Sequence, residues 1–198
     1  MFRLEKIGVS ANIKVIGVTG SVSSGKSTLL RALEKMGVST LSVDTIIHNL
    51  YNTNEELINK IHGLLGDDIL TNTKLDKKKI ATKVFDDKTL LLKLEKLTTP
   101  YVLDEIKRSA KHEKSPLVVE MPLLFELSLQ DLFDTTILVK ADPNLCFLRS
   151  DLPDFQKRNT RFLPVEEKER KADYTITNNG TFADFQKSIE SLMEGIIR

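Results

Sequence analysis

One stretch constrains this chain more than any other: Gly20-Ser21-Val22-Ser23-Ser24-Gly25-Lys26-Ser27-Thr28. Two glycines, a lysine and a hydroxyl residue at this spacing form the phosphate-loop pattern. Gly20 and Gly25 let successive backbone N–H groups curl inward into a cavity that accepts phosphate oxygens. Lys26 supplies a positive point charge. A helix starting at about Lys26 adds unpaired N–H groups and the positive end of its dipole, which together hold a polyphosphate. Ser27 offers its hydroxyl to magnesium. The flanks agree with this reading. IKVIGVT, residues 13–19, is a β-branched apolar run suited to a buried parallel strand, and STLLRALEKM, residues 27–36, places apolar residues at helical spacing. A Gly/Ser turn with no ligand is the plainer alternative, and it does not account for strand, loop and helix coming in this order.

At 198 residues the chain suffices for one sizeable core with a small inserted subdomain. A hydrophobic content of 40% and a charged content of 29% are ordinary globular material, and no apolar run reaches the length that spans a bilayer. A membrane role is therefore not expected. Residues 1–12, MFRLEKIGVSAN, hold no apolar core of signal-peptide length and read as an N-terminal extension. Cys146 is the single cysteine and can make no internal disulfide, which agrees with a reducing cytoplasm. It lies in the apolar stretch NLCFL, where a buried thiol is the expected state. The net charge of +1 supplies no bulk field for nucleic acid. Two runs, KLDKKKIATK and KRNTRFLPVEEKERK, are locally basic, and they read either as solvated helix faces or as surfaces that meet phosphates.

After the first helix, capped at Gly37, residues 38–43 (VSTLSV) read as a second buried strand. Asp44 stands at its carboxyl end, where ligands bind in open α/β sheets, so it either faces the phosphate loop or caps a helix over 45–51. Residues 54–112 show little strand character and several amphipathic helical segments, interrupted at Gly66-Asp67-Asp68 and at Thr98-Thr99-Pro100. A crossover of this length is predicted to be enlarged into a helical subdomain that supplies a second substrate's pocket. PLVVEM, residues 116–121, reads as a third strand with Glu120 near its carboxyl end, where a magnesium-facing acid is expected. TTILVK gives a fourth strand, Asp142-Pro143 opens a helix, DYTIT ahead of Asn178-Asn179-Gly180 gives a fifth strand, and residues 182–197 form a terminal amphipathic helix. Between them lies a polar region with Arg149, Arg158, Arg161, Lys168, Arg170 and Lys171, which reads as a lid whose arginines neutralise transferring oxygens and whose closure excludes water. The predicted fold is α/β, a three-layer phosphate-loop architecture with a five-stranded parallel sheet. The core comprises residues 13–53 and 116–198, with the lid at about 144–172 and the helical insertion at 54–115.

Several stretches together resemble the dephospho-CoA kinase family, phosphate-loop kinases of the nucleoside-monophosphate-kinase type. They are VTGSVSSGKST, SVDTIIHNL, LLGDDIL followed by LDKKKIATKVF, EMPLLFE, and PVEEKERKADYTITNNG. PLLFE and ADYTITNNG carry most weight, because phosphate loops are common to many nucleotide-binding proteins. The resemblance implies transfer of the ATP γ-phosphoryl to the ribose 3′-hydroxyl of dephospho-CoA, the last step of coenzyme A biosynthesis, with magnesium as cofactor; a cytoplasmic monomer with no nucleic acid or membrane partner is the accompanying expectation. It implies that the loop residues Gly20, Ser21, Val22, Ser23, Ser24, Gly25, Lys26, Ser27 and Thr28, together with Asn178, bind the nucleotide. It implies further that Ser27 and Glu120 hold the metal, that Asp44 orients or deprotonates the acceptor hydroxyl, and that Lys26 and Arg149 act on the transferred group, with Arg158 and Arg161 in reserve.

This chain also departs from the family pattern. Ser42 stands where a second aspartate is usual, His48 where an arginine is usual, and Thr99-Pro100 where a histidine-proline pair is common. The helix after the fourth strand is shortened to NLCFLRSDLPDF, and Glu120 replaces the usual aspartate. Two other readings accompany the first: a kinase for another small acceptor such as a nucleoside or its monophosphate, and a nucleotide-dependent switch that keeps the phosphate loop without transfer.

Overall fold

The computed structural model describes residues 6–7, 13–72, 74–85, 87–151, 155 and 159–197. In chain order the elements are β1 (Val15–Gly20), α1 (Lys26–Lys35), β2 (Ser39–Ser42), α2 (Val43–Thr53) and α3 (Glu55–Leu65). There follow β3 (Leu70–Thr71), β4 (Lys74–Leu75), α4 (Lys77–Phe85), α5 (Lys88–His112), β5 (Leu117–Glu120) and β6 (Thr135–Lys140). The series ends with α6 (Pro143–Leu148), α7 (Val165–Lys171), β7 (Tyr174–Thr177) and α8 (Phe182–Ile197). Two compact units result, one of residues 1–42 and 109–198 and the other of residues 43–108.

The first unit is built on a five-stranded sheet of order β2-β5-β1-β6-β7, all parallel. Its central strands are apolar on both faces, because helices or loops cover both. Alternate residues segregate as a pleat of period two requires. Ile16, Val18, Val118, Ile137 and Val139 join Leu29, Leu30 and Leu33 of α1 and Phe185, Ile189 and Met193 of α8 in one buried cluster. On the opposite face, a Cβ at Gly17 would meet Leu124 and Phe133, so the chain between β5 and β6 packs directly on β1. This gives three layers around the sheet, as predicted, with parallel strands that all end on one edge. The register there pairs Gly20 with Val139, Val18 with Glu120, Ser42 with Glu120 and Lys140 with Thr177. The order reverses at β1, whose neighbours are β5 and β6, and such a switch point is where an α/β sheet opens a ligand crevice.

The second unit is helical, with Leu57, Ile61, Leu65, Ile69, Ile80, Val84, Leu94, Val102, Leu103 and Ile106 buried. Two details differ from the sequence reading. Leu70–Thr71 and Lys74–Leu75 form a small antiparallel hairpin, too short to leave an alternating pattern. The predicted break at Thr98-Thr99-Pro100 is absent, and α5 runs unbroken from Lys88 to His112 with Pro100 inside. Proline removes one intrahelical donor. Thr98 Oγ1 donates to Leu94 O at 2.8 Å and Thr99 Oγ1 to Glu95 O at 2.7 Å, so hydroxyls add bonds to carbonyls of the preceding turn. Burial of Leu94, Val102 and Ile106 on either side then outweighs the local propensity. Of the predicted N-terminal extension only Lys6 and Ile7 are described, and Ile7 is buried.

Candidate active site

The loop between β1 and α1 follows the strand at the switch point, and its backbone takes the conformations a phosphate cradle needs. Ser23 has φ 59° and Gly25 φ 110°, left-handed values that turn successive N–H groups toward one side. Gly20 has no room for a side chain, because a Cβ there would collide with the Val139 carbonyl. The N-terminus of α1 carries neither a side-chain cap nor an acidic residue in its first turn. Its first N–H groups and the positive end of its dipole are therefore left to a ligand.

A cavity of about 400 Å³ opens over this helix end. Ser23, Gly25, Lys26, Ser27 and Thr28 line it, and so do Arg149 and Asn178. Residues predicted from separate stretches of sequence thus come together. Gly180, Phe182 and Phe185 line it as well and were not predicted. The Asn-Asn-Gly turn before α8 was the available signal, but nothing in a linear pattern says that the turn after β7 comes beside the loop after β1. Gly20, Ser21, Val22 and Ser24 shape the loop rather than the cavity wall. Lys26 Nζ donates to Gly20 O at 3.1 Å and to Ser21 O at 2.7 Å, so the lysine is folded back along its own loop and is largely buried.

Arg149 ends α6 as its C-terminal cap, and its Nη1 donates to Asn178 O at 2.9 Å. One guanidinium nitrogen is thereby anchored while the residue remains exposed, which leaves further donors for a bound oxyanion. Of the two reserve arginines, Arg158 lies outside the described residues and Arg161 is exposed.

Glu120 ends β5, is mostly buried and sits in register with Ser42. A serine hydroxyl at Ser27 and a carboxylate at Glu120 are hard oxygen donors, and magnesium commonly uses such a sparse protein set together with phosphates and water. The donor chemistry fits that ion. Asp44 belongs to the second unit. It is exposed and lies in the first turn of α2, which starts at Val43. The helix-cap alternative over 45–51 is thereby overturned, because the helix begins before Asp44 rather than after it. His48 follows on the same face of α2, one turn on.

Two basic residues have a different role from the one expected of a lid. Lys168 is wholly buried, its Nζ 2.7 Å from Glu126 Oε1 and 4.5 Å from the centroid of the Phe162 ring. Burial is the main cause that pushes its ammonium below the usual lysine range, and the Glu126 bond opposes that shift. Leu163 N donates to the same Glu126 oxygen at 2.9 Å. Lys168 is thus a structural partner of the PLLFE stretch rather than a phosphate contact. Lys171 pairs with Glu167 at 2.9 Å. Replacing Lys168 by Met strands a nearly buried carboxylate and is expected to lower stability by about 3–5 kcal/mol, whereas the double variant Glu126→Leu/Lys168→Met recovers most of that. Urea unfolding checks this, and a double variant as weak as the single one would refute it. Cys146 is buried as expected, and burial raises its thiol above the ordinary range, so it is a packing group.

The family described as dephospho-CoA kinase matches residues 14–184, which takes in the phosphate loop, the whole of the helical unit and the Asn178 turn. The dephospho-CoA kinase of Protochlamydia amoebophila is 33% identical over 194 residues, covering 92% of this chain and 96% of the relative. Among solved structures, a Thermus thermophilus protein superposes with a TM-score of 0.79 at 25% identity over 92% of this chain and 97% of that one. The dephospho-CoA kinase from Campylobacter jejuni superposes with a TM-score of 0.69 at 26% identity over 93% and 98%. With a family match over most of its length, and with the loop, helix end and arginine gathered at one cavity, the chain belongs to the dephospho-CoA kinase family.

Proposed function

We propose that the protein transfers the γ-phosphoryl of ATP to the ribose 3′-hydroxyl of dephospho-CoA, giving CoA and ADP. The carrying observation is the uncapped end of α1, set with Lys26 and Arg149 on one cavity in a chain of this family. Phosphoryl transfer leaves little covalent work to the protein, so alignment and charge stabilisation dominate. The loop N–H groups bind the phosphates, Lys26 neutralises charge on the transferring group, and Arg149 offers its remaining donors as that charge spreads. Asp44 holds the acceptor hydroxyl and takes its proton, and the helical unit of residues 43–108 supplies the acceptor's pocket. Ser27 and Glu120 would hold magnesium, which would neutralise charge on the phosphate oxygens when bound. A monomer in the cytoplasm, without nucleic acid or membrane partners, completes the proposal. Among the described residues no helix is long and apolar enough to cross a membrane.

An acceptor panel with radiolabelled ATP tests the reading. Label is expected in CoA in preference to nucleosides and nucleoside monophosphates. Preferential labelling of a nucleotide would overturn it, as would tight ATP binding with no acceptor-dependent turnover.

A further inference from the structure

Asn178 lines the cavity, yet its hydrogen bonds run into the protein. It is 9% exposed and follows directly on β7. Its N–H donates to Lys140 O at 2.8 Å, at the end of β6. Its carbonyl accepts from Arg149 Nη1 at 2.9 Å. Its side-chain Nδ2 donates to the carbonyl of Ser24, inside the phosphate loop, at 2.9 Å. One residue therefore joins the ends of two strands, the candidate arginine and the loop.

The bond to Ser24 has a defined consequence. In a planar trans peptide the C=O and the following N–H point in opposite directions. Holding the Ser24 carbonyl toward Asn178 turns the Gly25 N–H away from Asn178, and Gly25 is on the cavity wall. Lys26 does the same for the preceding peptides through Gly20 O and Ser21 O. The approach is close enough to exclude any other residue at position 25, since a Cβ there would overlap Asn178 Nδ2. Ser24 itself is fully buried, so its carbonyl relies on a partner within the protein.

We infer that Asn178 is a positioning residue of the phosphate-donor site: its side-chain amide aims the Gly25 N–H, and its backbone carbonyl aims the Arg149 guanidinium, before a nucleoside triphosphate arrives. The inference rests on the phosphoryl-transfer reading. Donors already oriented cost no reorganisation at binding or reaction, which is where such a residue acts without touching substrate.

The test uses the full chain with Asn178→Ala, and with Asn178→Ser as the gentler change, and neither adds a charge beside the phosphates. Loss of one buried hydrogen bond is expected to weaken ADP binding by calorimetry about tenfold and to lower kcat by a similar factor. KM for dephospho-CoA is expected to move by less than about twofold, since the acceptor lies outside this network. A merely structural role would lower the melting temperature and the active fraction but leave ADP affinity per folded molecule unchanged, and that result overturns the inference. The calorimetric arm needs no acceptor, so it decides the inference even if dephospho-CoA is not the substrate.

Discussion

Lys26→Ala is expected to lower turnover at least about a hundredfold, because the proposed mechanism places its positive charge on the transferring group, where the loop N–H groups and Arg149 replace it only in part. The lysine is nearly buried at the mouth of α1, and its Nζ bonds two loop carbonyls. Losing it therefore has a second effect: Gly20 O and Ser21 O are no longer pulled back, and the loop peptides lose part of their orientation. Lys26→Arg is not a conservative rescue, since a planar fork does not fit where a compact ammonium reaches two carbonyls of its own loop. Steady-state kinetics with ATP and dephospho-CoA measure the effect. A thermal melt within a few degrees of wild type would separate lost charge from lost fold. Wild-type turnover in this variant would refute the assignment of the site.

Asp44→Asn has the next largest expected effect and a different signature. The substitution is isosteric and the side chain is exposed in the first turn of α2, so the helix should keep its shape. A carboxylate that holds and deprotonates an alcohol acts only as the reaction proceeds, so kcat is expected to fall by about a hundredfold while KM for ATP stays within about threefold. If ATP affinity collapses instead, Asp44 belongs with the metal and the general-base role is wrong. The two variants together test the proposed division of labour, Lys26 on the donor phosphates and Asp44 on the acceptor hydroxyl.

The residues that could be read in one dimension were those whose chemistry depends on near neighbours. Ser27 follows Lys26, Lys26 follows Gly25, and the strand before them and helix after them are continuous, so IKVIGVT and STLLRALEKM carry their own periodicity. The strand over 135–140 and the terminal helix over 182–197 were legible for the same reason and are found with those bounds. The two-residue strands of the hairpin were not legible, being shorter than one period of alternation. Pro100 misled because propensity is local while the burial of Leu94 and Val102 is not.

Lys168 shows the limit most clearly. In the run KRNTRFLPVEEKERK it looks like one more solvated or phosphate-seeking cation, and only the packing against Phe162 and Glu126 reveals a buried ion pair. Asn178 is a similar case, since the family resemblance implied nucleotide binding while its side-chain amide is directed at Ser24. By itself the sequence determined that this chain makes a strand-loop-helix able to hold a polyphosphate, because backbone torsions, glycine positions and a following helix are properties of neighbours along the chain. Which distant residues stand around that loop was decided only by the tertiary structure. The order β2-β5-β1-β6-β7 brings the end of β7 and the start of α8 to the loop after β1, and no short-range pattern encodes the packing that selects that order.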